Sequence, residues 1–360
     1  MTNALNGETL LIRHNPVLIA YPQEPSSKTR PGASRPGRHG WGDYHPCSAE
    51  FFLARSYLRE HRPGFDFPGL LPRTWRALRR TKIDELKALL SKAGEPEDTR
   101  HWELDVADVP SQNERKAWQV YGLLLEEQGD SSYECAVYGR YVPGSSSGTP
   151  PVLQYWYLYL YNDFRNNHEA DWEMVTIGLT PTGEPVRMGV SSHHGGSQRP
   201  WDLVQKLGDQ PVVHVALGSH AGYFEYAYNG HDILNFKFLS RLPDPLDMII
   251  GWVKRIPLFG RLRDKAAADV EIDPHAKPEH LGKRVHPKLH ALPANIDAPA
   301  DPIRWWWLRY RGRWGSSRPR VFGTVGVSTP WRKARSDGAF RDYRWEDPRR
   351  WLDGCKRDPA

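Results

Sequence analysis

Residues 152–179 read VLQYWYLYLYNDFRNNHEADWEMVTIGL, and this stretch decides the fold. From Leu153 onward the side chains alternate across a strand, so Tyr155, Tyr157, Tyr159, Tyr161 and Asp163 share one face. Trp156, Leu158 and Leu160 take the other. After a loop over residues 164–170, Asp171 to Leu179 reads as a second strand. There Asp171 and Glu173 point one way, and Trp172 and Met174 point the other.

Outward from this pair, further short β-type runs follow. They are residues 118–125, 132–142, 186–192 and 212–217, separated by Gly, Pro, Ser, Asn and Asp turns. Such a succession predicts a mainly β fold, an antiparallel β-sandwich. The chain reads as one large domain over residues 1–360 with three insertions. Residues 23–43 are rich in Gly, Pro, Ser and Arg and read as a flexible loop. Residues 48–108 contain two helical stripes (48–61 and 75–93) and then a Pro- and acid-containing connector. Residues 234–303 form a helical and irregular insertion. Its helical part, 234–263, suits either a helix packed on the sandwich or one lying at a membrane surface.

Composition sets the outer limits. The chain has 360 residues, 39% hydrophobic and 26% charged, with 15 Trp and 16 Tyr. That excludes a wholly disordered chain. The net charge of +6 permits an anionic partner without requiring one. No apolar run is long enough to span a bilayer, and residues 10–21 lack the pattern of a secretory signal. Cys47, Cys135 and Cys355 are widely spaced and build neither a disulfide framework nor a zinc pattern. A cytoplasmic, reduced protein is the expectation.

The chemistry concentrates at the open end of the 152–179 hairpin. If the strands pair with Asp163 opposite Asp171, then Glu173 lies one pleat further in and His168 hangs above. Crowded carboxylates repel unless one takes up a proton or a cation sits between them. Asp163, His168, Asp171 and Glu173 therefore form a candidate metal set. Three oxygen donors and one nitrogen favour Mg2+ or Ca2+, with Mn2+ also accommodated. The plainer alternative is a set of solvated acids at strand ends with a hydrogen-bonding histidine. His168-Glu169 begins like a His-Glu-x-x-His zinc helix, but the fifth position is Trp172. Two later segments add ligand-binding candidates: His193 and His194 before Gly195-Gly196, and Ser219 with His220 before Ala221-Gly222. The nucleophile-elbow pattern Gly-x-Ser-x-Gly is absent, so Ser219 and His220 are read as cavity residues rather than a nucleophile pair.

The linked blocks LQYWY (153–157), YND (161–163), HEADWE (168–173), HHGG (193–196) and GSHA (218–221) resemble the vacuolar protein sorting sixty-two family. YHP (44–46), EFFL (50–53) and RGRWG (311–315) extend that resemblance along the chain. HEADWE is also distantly similar to the Gly-His-Arg-His-Asp-Trp-Glu heptapeptide of the necrosis- and ethylene-inducing-like cytolysins. That resemblance implies a β-sandwich that binds a divalent cation beside a sphingolipid sugar headgroup. It implies that His168, Asp171, Glu173 and Asp163 hold the metal, with His194 in the later His-Gly-Gly. The second His of the heptapeptide is Ala170 here.

Residues 304–351 interleave Trp with Arg. This segment suits a packed terminal strand with Arg stems covering apolar surface. It also suits contact with lipid phosphate, making peripheral membrane contact an open expectation. No nucleic-acid-binding motif appears, so nucleic acid is not an expected partner. The leading expectation is a divalent-metal-dependent protein that binds an anionic or hydroxyl-rich lipid or glycoconjugate headgroup. Tyr161, His193, His194, Ser219 and His220 would line its cavity. The alternative is a metal-dependent enzyme acting on a phosphorylated or diphosphate-bearing lipid or isoprenoid, with His194 or His220 as acid or base.

Overall fold

The computed structural model describes residues 6–20, 45–60, 80–81, 83–91, 102–106, 134–145, 148–162, 168–192, 195–215, 220–225, 283–296, 298–315, 327–328 and 343–358. In chain order the elements are α1 (Gly7–Arg13), β1 (Val17–Ala20), α2 (Ala49–Ala54), β2 (Ser56–Glu60), β3 (Arg80–Thr81), α3 (Ile83–Leu90) and β4 (Trp102–Val106). The central run is β5 (Ala136–Val142), β6 (Val152–Asn162), β7 (His168–Leu179), β8 (Pro185–Ser192) and β9 (Gly195–Pro200). After it come β10 (Lys206–Leu207), β11 (Gln210–Val215), β12 (Gly222–Tyr223), β13 (Lys283–Val285), β14 (Lys288–Ala291), β15 (Arg313–Trp314) and β16 (Val327–Ser328). Then follow α4 (Tyr343–Glu346), α5 (Pro348–Gly354) and β17 (Lys356–Arg357).

The protein is mainly β. A seven-stranded central sheet runs in the order β14-β5-β6-β7-β8-β9-β17. Strands β5 to β9 pair antiparallel, while the edge strands β14 and β17 join in parallel. A second sheet, β10-β11-β1-β13 with β12 beside β11, covers one face. A third, β16-β15-β4-β2-β3, covers the other.

This three-layer arrangement explains why β6 carries almost no polar residue. Tyr155, Tyr157 and Tyr159 pack with Val175, Ile177, Met188 and Val190 against Leu18, Ala20, Val213 and Val215 of the second sheet. Trp156, Leu158, Leu160, Trp172 and Met174 pack against Leu58, Leu104 and Val106 of the third. Each fully buried side chain of this size contributes about 1.5–3 kcal/mol through removal from water. The Trp-rich C-terminal region belongs to the same layer. Trp305, Trp306, Trp307, Trp314 and Trp351 are all buried there, and Trp314 meets Phe52, Trp172, Trp307 and Tyr310. Residues Trp306–Arg309 form a 3-10 turn rather than a strand.

Local signals start the helices. Asn6 accepts from the amides of Glu8 and Thr9 ahead of α1, and Ser48 accepts from Phe51 N ahead of α2. Asp347 caps α5, whose first residue is Pro348. The α5 residues Trp351 and Leu352 lie on β8, where a Cβ on Gly189 would come within 2.6 Å of Leu352. Glycine at 189 is what lets the helix approach the sheet.

The structure differs from the sequence reading at three places. Among the described residues of 48–108, two short helices stand beside the strands β2, β3 and β4, which the helical reading did not anticipate. Acidic Glu103 and Asp105 disguise β4, yet Leu104 and Val106 alternate with them into the core. The 234–303 insertion includes the strands β13 and β14. The loop of the 152–179 hairpin is shorter than residues 164–170, because β7 begins at His168. The flexible loop at 23–43, the run at 118–125 and the helical part at 234–263 fall outside the described residues. No helix among the described residues is long and apolar enough to cross a membrane.

Candidate functional site

The site is built on the first turn-proximal rungs of β6 and β7. The register pairs Tyr157 with Glu173, Tyr159 with Asp171 and Asn162 with His168. Asp171 therefore faces Tyr159 across the strands. The expected Asp163–Asp171 pairing is corrected: early onset of β7 leaves only residues 163–167 between the strands, which shifts the register by four residues. Asp163, His193, His194 and Ser219 lie outside the described residues. Tyr161 and His168 are placed on their strands by backbone alone.

Four polar side chains do converge. Asp171 is 7% exposed, Glu173 4%, His220 2% and Ser191 0%. His220 Nδ1 lies 3.0 Å from Asp171 Oδ2. Its ring stacks on Tyr159 with centroids 4.0 Å apart and planes 3° from parallel. His220 also has a φ of +56°, a left-handed conformation that costs an L-residue about 1–2 kcal/mol. The ring stack and the carboxylate contact hold it there. Burial lifts the Tyr159 phenol well above its usual range, and Tyr157, Cys135, Glu173 and Asp171 add to the shift. Tyr159 thus stays protonated beside His220.

Glu173 is held from the neighbouring strand. Ser191 Oγ donates to Glu173 Oε2 and accepts from the amide of Met174 at 2.8 Å. A serine side chain here takes the place of a backbone carbonyl, so one rung of the β7–β8 ladder is side-chain mediated. Ser191 escaped sequence reading as a site residue. The signal was its place two residues before His193, at the end of the run that pairs with β7.

Glu169 goes elsewhere. Ala170 has a φ of +55°, which breaks the strand's alternation. Glu169 Oε2 accepts from Val106 N of the third sheet at 3.0 Å. Trp172 and Met174 lie on that same side. Asp171 and Glu173 are thereby isolated from Glu169, on the tyrosine side.

Asp171 and Glu173 thus place two acidic side chains in one buried layer beside the His220 imidazole. The Tyr157 hydroxyl adds an observation of the same kind. It is buried in this layer with no hydrogen-bond partner among the described residues. Such orphaned donors mark places where a ligand or ordered water completes the structure. Among the described residues, no group of three or more His, Cys, Asp or Glu side chains is arranged to hold a metal ion. Asp171 and Glu173 are the two expected ligands that the described structure brings together.

No family model matches the chain, and no curated protein matches it. The resemblance to the vacuolar protein sorting sixty-two family therefore rests on the quoted residues alone. Solved structures of necrosis- and ethylene-inducing-like proteins are weak neighbours. One is NLPPya in complex with glucosamine, at 22% identity over 25% of this chain and 44% of that one, with a TM-score of 0.22. Another is NLPPya in complex with mannosamine, at 23% identity over the same shares, with a TM-score of 0.21. A third is Necrosis and Ethylene inducing Protein 2 from the causal agent of cocoa's witches' broom disease. It matches at 14% identity over 49% of this chain and 69% of that one, with a TM-score of 0.21. The aligned span takes in less than half of the NLPPya chain. Superpositions this loose carry no argument about ligand or mechanism.

Proposed function

We propose that the protein binds an anionic or hydroxyl-rich headgroup, of a lipid or a glycoconjugate, through a divalent cation of the Mg2+, Ca2+ or Mn2+ class. The observation that carries this reading is the buried pair Asp171 and Glu173 on one face of β7, with His220 fixed beside it by a 3.0 Å contact. A bound cation would supply charge neutralisation and oxygen coordination there. The chain's own residues do the rest. Ser191 orients Glu173, and Asp171 orients His220. Tyr159 gives His220 a flat apolar wall, which keeps the imidazole from turning away. Asp163 and His168 are the proposed remaining ligands, and Tyr161, His193, His194 and Ser219 the proposed cavity lining.

Isothermal titration of the chelator-treated protein with each of the three cations tests the first half. Saturable heat is expected from the parent chain and none from Asp171→Ala. Binding to a glycan array and to lipid vesicles, with and without chelator, tests the second half. Equal binding in both conditions removes the metal from recognition.

The His220–Asp171 pair favours a second reading, a hydrolytic enzyme. An imidazole oriented by a buried carboxylate is the arrangement of a general base or acid. Turnover of phosphorylated or diphosphate-bearing lipids and isoprenoids, lost in His220→Gln, would decide for it. Absence of turnover across that panel leaves the binding reading.

A further inference from the structure

A second charged cluster lies on the opposite, Trp-rich side of the central sheet. It forms where the β5 end meets the C-terminal helices. Arg140 of β5 donates from Nε to Gln154 Oε1 at 2.8 Å and from Nη2 to the carbonyl of Trp345. Its guanidinium lies 3.5 Å over the Trp345 ring. Arg349 of α5 reaches the other way. It donates from Nε to Pro150 O at 2.5 Å and from Nη2 to Pro143 O at 2.6 Å. The sheet arginine thus holds the helical segment, and the helical arginine holds the loop that follows β5.

Neither arginine meets a carboxylate among the described residues, and their hydrogen bonds go to carbonyl oxygens. A guanidinium carries five N–H donors in a planar fork. Toward the described residues both use Nε and Nη2, and neither uses its Nη1 amino group. Two neighbouring cations with spare donors, one stacked on an indole, are the donor set that grips a tetrahedral oxyanion. Burial, and then the charge of Arg349, push the Arg140 guanidinium down to about 9. Arg349 Nη2 also lies 3.5 Å from the carbonyl of Val142, two residues along β5 from Arg140, so the two guanidiniums share one end of the strand. An anion between them would offset their like charge.

We propose that Arg140 and Arg349 form a binding site for a phosphoryl group, with the Trp345 ring fixing the Arg140 guanidinium. The site is separate from the Asp171–Glu173 site and does not depend on the metal reading. Free phosphate and a lipid phosphomonoester share this chemistry, and the test separates them.

The test is thermal unfolding of the full chain in chelator, in sodium phosphate against sodium chloride of equal ionic strength. A phosphate-specific rise in Tm of about 2–4 °C is expected at ten times the dissociation constant. Arg349→Gln, at a partly exposed position, should fold and lose that rise. Arg349→Lys should keep part of it, because charge remains but the fork is gone. Co-sedimentation with phosphatidylcholine vesicles containing phosphatidic acid is the second arm. Binding that Arg349→Gln abolishes, together with the phosphate effect, assigns a lipid phosphate. A phosphate effect without vesicle binding assigns a soluble phosphoryl compound. No phosphate-specific rise in the parent chain, or the same rise in Arg349→Gln, overturns the proposal and leaves the two arginines as carbonyl clamps.

Discussion

Strand β7 presents two different environments from one backbone. Trp172 and Met174 enter a layer of indole, phenyl and leucine side chains. Asp171 and Glu173 enter a layer where tyrosines meet two carboxylates and an imidazole. The first layer is mainly apolar, although Glu103, Asp105, Glu169, Arg309 and Arg313 are buried in and beside the third sheet. The second holds Asp171, Glu173 and a His220 of positive φ on one side of β7, with a Tyr157 hydroxyl that has no hydrogen-bond partner among the described residues. The proposed function places binding on the second face and leaves the larger share of apolar packing to the first.

The division predicts effects of very different size. On the Trp side, Trp314→Ala removes a fully buried ring that touches Phe52, Trp172, Trp307 and Tyr310. The loss should be about 3–5 kcal/mol in urea unfolding, with any metal binding by the folded fraction unchanged. A loss near zero would mean that this layer does not carry the stability.

The second effect is pH dependence in the covering sheet. Burial holds the His214 imidazole down, from an ordinary 6.5 to about 4; Arg199 adds to this and Glu225 opposes it. Between those values the unfolded chain binds the proton and the folded chain does not. Stability contributed by neutral His214 is therefore present above about pH 6.5 and lost as pH falls toward 4. The swing is on the order of 2 kcal/mol. His214→Gln should flatten this part of the stability–pH curve, measured by unfolding at pH 7 and pH 5. An unchanged slope would place the titration elsewhere.

The sequence made the alternation of β6 legible because size and polarity both follow the period of two. Tyr155, Tyr157 and Tyr159 do face one layer, and Trp156, Leu158 and Leu160 the other. Register was not legible. It depends on where pairing stops, and nothing in residues 163–170 announces that β7 starts at His168. The third sheet was hidden for a related reason. Its strands are short, β4 carries two acids, and its partner β15 lies more than 200 residues away in the chain, so local pattern could not reveal the pairing. At the candidate site, composition singled out Asp171, Glu173 and His220, which the fold buries on one side of β7. Ser191 was missed because a serine that replaces a backbone carbonyl has no periodic signature. The left-handed backbone of Ala170 and His220 was also invisible, since alanine does not signal it and histidine does so only weakly.

On the polar side the expected changes are smaller and of opposite sign. Glu173→Gln keeps an oxygen acceptor for Ser191 and removes one buried charge. In chelator the variant should be as stable as the parent chain or more stable by about 1 kcal/mol. With saturating Ca2+ or Mg2+ the order should reverse, because only the parent gains binding energy. Thermal unfolding in the two conditions reads both signs. A variant less stable in chelator would make Glu173 a structural residue.

The smallest effect is expected at the hinge between the two environments. Ala170 has a φ of +55° and is fully buried. Ala170→Gly relieves a left-handed alanine, worth about 1 kcal/mol. It also removes a buried methyl, worth about 0.8 kcal/mol, and frees the unfolded chain. The terms nearly cancel, so urea unfolding should change by less than about 0.5 kcal/mol. Ala170→Val breaks that balance, because a β-branched side chain is poorly tolerated at this φ and the site is already packed. It should cost about 2 kcal/mol or more and disturb the contact between Glu169 and Val106 N. If glycine and valine behave alike at 170, the positive φ is not what turns Glu169 away from Asp171, and the separation of the two faces needs another cause.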